Sequence, residues 1–537
     1  MTKQTRLARN RRTIAAATAG ALLLGAAGIG IYFASANPQE PALAEAQAGL
    51  TSIPASKQRL VCPAQPQLVS GVGENTDAEF APGSNNEVTQ LSTLAISDLA
   101  GTLPWLQLHP SGNTDAKGRD LTPRVVEEQQ QGEPATVGKD GQSQRKGKRV
   151  LTKAAAQKPD FLTSYPLGGR QGLSSSVRSY AAPDGDLAGL AMSDCVTALH
   201  EQWITGLTTE VGATGVIGLS NPSETTAVVT LDFYGAAGKV QAPGSQGIVL
   251  APGQTRSFLA AGFAPDEDAL TARVRSTGGA VSAWATQTFL YGLDAGGVDY
   301  IPTSTQLARR QVVPGFRAQA PAATAKYLQA DAEHASSQPA LILTSPAASE
   351  TTATVTAYSA KGQAKLPNNG AVTIPAQGTV VVPLDKLPAG DYTLAVEAEN
   401  LVTAAARSLR GDAKPDVSFI SSAGKLGTSN VVAVPATGDA AIVLGQADGQ
   451  AEVSLTPITK SGAMGKATTV KLSGGTSVRK NIKDLTGDGD ATGVLIRVDG
   501  DQVYGNIQVL GRGNQLSAYP IKSMGQANTA VSVSLSE

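Results

Sequence analysis

The chain has little with which to do chemistry. Of its 537 residues only two are cysteine and three are histidine, and its formal net charge is -1. Two thiols, Cys62 and Cys195, are too few for a thiolate cage around zinc. His109, His200 and His334 have no second ligand at metal-binding spacing apart from the adjacent pair His200-Glu201, so each reads as a surface histidine. A balanced charge gives no electrostatic attraction to nucleic acid. No G-x-S-x-G elbow, Walker loop or G-x-G-x-x-G after a strand is present. These absences point away from an enzyme and from a resident cofactor. What is present is 58 Gly and 30 Pro among many Ala, Val and Thr, with aromatics at 4% and charged residues at 16%. That is the composition of strands and turns, in a chain long enough for three to four domains.

The organising stretch runs from Thr214 to Gly292, and its pattern returns twice. Each copy opens on an apolar strand, Val216-Ile217-Gly218-Leu219, Leu341-Ile342-Leu343 or Ile442-Val443-Leu444. An alternating strand follows, then a large residue with a glycine four positions on: Tyr234 and Gly238, Tyr358 and Gly362, Ile458 and Gly462. A further strand comes next, at Arg256 to Leu259, Thr379 to Val382 and Thr476 to Val478. The last two strands read as a hairpin, with Gly278-Gly279, Glu399-Asn400 and Asp499-Gly500 at the turns. Gly292, Gly411 and Gly511 each precede an aromatic residue, Tyr300, Phe419 or Tyr519, by eight positions. Short strands with turns every ten or so residues, and no helical-period stretches to cross between parallel strands, predict an all-β chain of tandem immunoglobulin-like β-sandwich modules. The modules are placed at 201–307, 308–425 and 426–537, strung end to end by short connectors that lead into entry strands near Ala308 and Ser429.

Upstream, Lys3, Arg6, Arg9, Arg11 and Arg12 make residues 1–12 a basic tail, followed by an uncharged stretch over 13–35. This is a transmembrane anchor or a signal peptide. Its length of roughly 20 residues favours a span, while Ala34-Ser35-Ala36 is an A-x-A cleavage pattern. Either way the rest of the chain is delivered outside the membrane. Residues 36–58 read as a spacer. A first β-domain occupies 59–200, with the polar, aromatic-free stretch 110–160 as a disordered insertion. It includes the basic run Arg145-Lys146-Gly147-Lys148-Arg149. Cys62 and Cys195 bracket this domain, and outside a membrane an even cysteine count favours a disulfide between them.

One stretch copies the early spacing of a calcium loop, with Asp484, Asp488 and Asp490 as oxygen ligands and glycine at the sixth position. Leu495 stands where the bidentate Glu belongs and strand residues follow in place of a helix, so it is a weak candidate. Trp105, Trp203 and Trp284 are the three tryptophans, for which core packing is the stronger expectation than a sugar platform.

Cys195, Trp203, Leu219-Ser220-Asn221-Pro222, Gly278-Gly279 and Val312-Val313-Pro314-Gly315 together resemble an actinobacterial family of membrane-anchored extracytoplasmic proteins of unknown function built from β-modules. The likeness covers roughly Cys195 to Gly315 well and the rest by layout. The polar insertion before Tyr180 and the last module depart from it. It implies location and architecture, and carries no catalytic residue to this chain. The expected function is therefore a non-enzymatic cell-envelope protein acting as scaffold, stalk or partner-binding subunit, with the membrane met through 13–35 and other envelope proteins or cell-wall polymer as partners. The alternative is an envelope carbohydrate- or polymer-binding protein.

Overall fold

Glycine-punctuated apolar runs become strands almost everywhere in the computed structural model, which describes residues 49–53, 55–68, 83–110, 136–137, 143–153, 156–304, 307–486, 491–522 and 529–533. The chain divides into two units. In the smaller one, Gly49–Ile53 pairs antiparallel with Thr529–Val533, so part of the expected spacer is strand. The larger unit spans Pro54–Ala527. The basic tail and the membrane segment 13–35 lie outside the described residues, and no described helix is long and apolar enough to cross a membrane.

The larger unit holds four modules, and the first β-domain repeats the strand order of the three that the repeat marked. The first is made of Gln58–Cys62, Val88–Ile96, Leu106–Pro110, Gly147–Lys153, Asp160–Ser164, Leu173–Ala182 and Gly189–Asp194. The second runs through Glu201–Leu207, Ala213–Ser220, Ala227–Gly235, Thr255–Leu259, Leu270–Gly278, Ser282–Tyr291 and Asp294–Ile301. In both, the first strand pairs with the fifth and the fifth with the third, while the second is flanked by the fourth and sixth and the sixth carries the seventh at the edge. The third module, from Ala308–Ala318 to Asp416–Ser421, and the fourth, from Ser429–Ala433 to Leu516–Pro520, repeat this order. It is a two-sheet arrangement, but not that of an immunoglobulin constant domain, in which the first strand pairs with the second. The first copy was hidden in the sequence because its third and fourth strands are separated by the polar insertion.

Three further expectations change. The fifth and sixth strands are not hairpins. They sit in different sheets, and in the third module one strand, Gly390–Arg410, serves as both, pairing with Ala308–Ala318 in its first half and with Ala340–Ser345 in its second. Local turn chemistry cannot tell a hairpin from a crossing between sheets. Part of the insertion 110–160 is strand: Gly147–Lys153 pairs with Val88–Ile96, and Asp160–Ser164 with Gln58–Cys62, while residues 111–135 and 138–142 lie outside the described residues. Those partners supply the apolar face that the polar segment lacks. A helix, Pro321–Ala330, also appears in the link between the third module's first two strands, with proline in its first turn, where that residue is tolerated.

The modules are not strung end to end. The first–fifth–third sheet of each packs on the fourth–second–sixth–seventh sheet of the next, and that of the fourth packs on the first, so the contacts close in a cycle. Strands of these four-stranded sheets are therefore buried on both faces; Ala340–Ser345 and Asp416–Ser421 are buried at every residue. In the sixth strand of the third module Val402, Ala404 and Ala406 join that module's own core, while Thr403 Oγ1 meets Thr205 Oγ1 of the second module at 3.2 Å. Two-sided packing requires small residues. A Cβ on Gly218 would fall 2.2 Å from the Trp284 ring, and one on Gly445 would fall 2.1 Å from Thr393 Oγ1. The closing junction is apolar: Leu94, Ile96, Val177, Leu190 and Met192 of the first module share one cluster with the fourth module's core.

The glycines four positions after the large residue occupy left-handed turns, Gly238 at φ 115°, Gly362 at 97° and Gly462 at 82°. A Cβ on Gly462 would also lie 1.9 Å from the carbonyl oxygen of Gly147 in the first module, whereas nothing lies within 4 Å at Gly362. Gly462→Ala is expected to cost about 3 kcal/mol or more, from strain plus overpacking at the junction, and Gly362→Ala about 1 kcal/mol. Urea unfolding of the two variants checks this; equal losses would remove Gly462 from the closure.

Candidate functional site

The seventh strands of the four modules meet at the centre of the cycle. Each is a sheet edge, and an edge strand presents N–H groups that need acceptors once water is excluded. The acceptors are two aspartates. Asp416 Oδ2 accepts from Leu190 N at 2.9 Å and Leu516 N at 3.0 Å, and Oδ1 from Val298 N at 3.3 Å and its neighbour Val417 N at 3.0 Å. One carboxyl group thus takes an amide from every module. Asp299 Oδ1 accepts from Met192 N at 3.2 Å, Tyr300 N at 2.9 Å and Ser517 Oγ at 2.7 Å, and Oδ2 from Phe419 N at 3.1 Å. It too reaches all four modules.

Both side chains are buried, Asp299 completely. Burial pushes the Asp416 carboxyl up to about 7 against the opposing pull of its amide donors. The same cause holds Asp299 well above the usual carboxylate range. Asp194, on the first module's last strand, is likewise raised by burial and is paired with Lys522. Perturbed carboxyls often mark catalytic sites, but each Asp416 oxygen already takes two donors, leaving no lone pair for a substrate or metal. The arrangement works as a clasp. Close backbone approach lets it form: a Cβ on Gly297, at φ 110°, would sit 2.7 Å from Asp416 Oδ1.

Neither Asp299 nor Asp416 stood out in the sequence. A faint signal existed, because Asp299 directly precedes Tyr300 and Asp416 lies three before Phe419, the aromatics eight positions after a glycine. An acid within an otherwise buried strand next to those markers was the clue.

The residues singled out beforehand fare differently. Cys62 and Cys195 are joined by a disulfide across 133 positions, with Cys62 fully buried and Cys195 nearly so. Asp488 and Asp490 lie outside the described residues. Asp484 accepts from Asn481 Nδ2 at 2.9 Å, and among the described residues no group of three or more His, Cys, Asp or Glu could hold a metal ion. Trp203 and Trp284 are core side chains, whereas Trp105 is half-buried and stacks on Tyr165 with centroids 4.1 Å apart. His334 stacks on Tyr327 at 4.1 Å and edges Tyr291 at 4.8 Å. An open groove of about 480 Å³ between the first and second modules is lined by Lys57, Arg59, Pro222 and Glu224 among others. There Arg59 pairs with Glu224 at 2.6 Å and donates to Pro222 O at 2.7 Å.

Fold and site together define an all-β protein of four like modules clasped by shared buried acids. The chain belongs to a family of unknown function, DUF5719, whose model matches residues 150–483. The match begins in the first module's fourth strand and ends just past the fourth module's fourth strand. The strands on both sides of the closing junction thus include some beyond the matched stretch. No curated protein matches the chain.

A folded-state pKa above the unfolded value means that the native protein holds more protons. The Asp416 contribution is therefore full below about pH 4 and is lost as pH rises toward about 7. Asp416→Asn is expected to flatten this part of the stability–pH curve. It should also lower stability by roughly 3 kcal/mol at pH 5, because the amide NH₂ faces backbone donors. Chemical denaturation from pH 4 to 8 measures both, and an unchanged slope in the variant would show that Asp416 does not titrate there.

Proposed function

We propose that this chain is a non-enzymatic protein of the outer side of a cell membrane. Residues 13–35 hold or deliver it there, and its four modules form one rigid scaffold to which partners bind. The observation that carries the reading is the Cys62–Cys195 disulfide. Disulfides form and persist in oxidising compartments, and this one ties the first strand of the first module to the end of its last. In the chain-entropy model a loop of this length contributes about 4 to 5 kcal/mol. The cycle of contacts supports the scaffold part. The seventh strands share the centre, while the link after the third module's first strand carries a helix, Pro321–Ala330, so connections can differ on a common frame. Other envelope proteins are the expected partners.

A second reading, binding of an envelope carbohydrate, is favoured by the half-buried Trp105–Tyr165 stack, since aromatic faces suit sugar rings. Loss of measurable glycan affinity in Trp105→Ala would support it.

Labelling intact cells with a membrane-impermeant biotinylating reagent tests location, and an impermeant crosslinker then identifies partners. The expected result is labelling before permeabilisation, with both cysteines inaccessible to alkylation until the unfolded chain is reduced. Labelling confined to permeabilised cells, with free thiols, would overturn the reading. Cys62→Ala/Cys195→Ala should unfold at markedly lower urea than the parent.

A further inference from the structure

One strand of the first module is left partly unpaired where the groove beside the second module lies. On one side Gln58–Cys62 pairs along its whole length with Asp160–Ser164. On the other it pairs only at Leu60 and Val61, with the two-residue strand Val196–Thr197. The chain then leaves at Ala198 for the second module, where Leu199 bridges Val281. Among the described residues, therefore, no strand lies beside Gln58 and Arg59 on that side. Successive residues of a strand turn their amide and carbonyl to opposite sides, so one of these two presents both to the groove.

The groove occupies the place of the missing strand. Gln58, Arg59, Thr197 and Ala198 line it from one side, and Pro222, Ser223 and Glu224 face them from the second module. Both walls are fixed. The Cys62–Cys195 disulfide ties the open strand to its short neighbour. Opposite, the fully buried Asn221 holds the turn: it donates to Thr225 O at 2.8 Å and Leu250 O at 2.9 Å, and accepts from Ser223 N at 3.0 Å.

Charge decides what kind of chain fits. Lys57 Nζ and Arg59 Nη2 both reach Glu224 Oε1, at 3.4 and 2.6 Å, and Arg59 Nη1 donates to Pro222 O at 2.7 Å. Two cations thus share one carboxylate, which leaves the groove a surplus positive charge. The Glu224 side chain is 73% exposed. An ion pair in water is worth little, so a second carboxylate can exchange for it.

We propose that this groove binds an extended acidic peptide of a partner protein. The peptide adds a strand beside Gln58 and Arg59 and sets a carboxylate on Arg59 and Lys57 in place of Glu224. Main-chain hydrogen bonds give affinity, and the guanidinium fork selects the acid. Glu224 is then a built-in competitor. The proposal rests on the reading of the chain as a partner-binding scaffold, and does not depend on where the protein resides.

The test titrates the full chain, by fluorescence anisotropy at constant ionic strength, with three labelled peptides. One alternates valine and glutamate, the second has glutamine for glutamate, and the third is the first with every amide N-methylated. Saturable binding of the first is expected, with the other two clearly weaker. Arg59→Gln should weaken it about tenfold, whereas Glu224→Gln should tighten it about threefold by removing the competitor. No saturable binding, equal binding of either control peptide, or a Glu224→Gln variant that binds no more tightly than the parent would overturn the proposal. If Arg59→Gln disturbs the fold for want of its bond to Pro222, Glu224→Gln, at an exposed side chain, still decides. Failure here while partners still crosslink on intact cells rejects this groove alone; failure of both rejects the scaffold reading as well.

Discussion

The larger unit depends on two carboxyl groups placed where four sheet edges meet. Edge strands carry amides with no ladder partner, and at the centre of a cycle there is no water to satisfy them. Asp416 and Asp299 supply the missing acceptors, each to every module. Desolvation raises both acids, and converging amide dipoles offset part of that cost. Neither acid could do this in an isolated module. The clasp exists only when all four are assembled, which makes it a device for selecting the closed arrangement.

Two-faced burial explains the composition. A sheet with water on one side can fill its inner face with large residues. A sheet packed on both sides needs Ala, Gly, Ser and Thr wherever a neighbour presses close, as Gly218 beneath Trp284 and Gly445 beneath Thr393 show. Hence a chain with few aromatics still buries an extended core. The junctions also differ in kind. Between the second and third modules hydroxyls bridge, with Thr271 bonded to Thr344 at 2.7 Å and Thr379 to Tyr234 O at 2.8 Å. The fourth and first modules, with no connector between them, meet over aliphatic side chains instead, where burial alone must hold them.

Much of the local structure was legible. The runs at Val216, Leu341 and Ile442 are strands, the spaced glycines are left-handed turns, and the two cysteines are joined. The helix at Pro321 was not foreseen, because its Ala-rich sequence carries no amphipathic stripe. The kinship of the first module with the other three escaped notice because an insertion broke the spacing by which copies were compared. The candidate site was barely legible, because Asp299 and Asp416 sat unremarked inside apolar strands.

By itself the sequence determined the all-β class, the positions of strands and tight turns, and the cysteines available for crosslinking, since these follow from alternation and backbone preference within a few residues. Only the tertiary structure decided that adjacent strands cross between sheets, that four modules close in a cycle, and that two acids serve as its clasp. The reason is one of range. Periodicity records which way a side chain points, while pairing, burial on the second face and the cost of a charge depend on what distant segments bring against it.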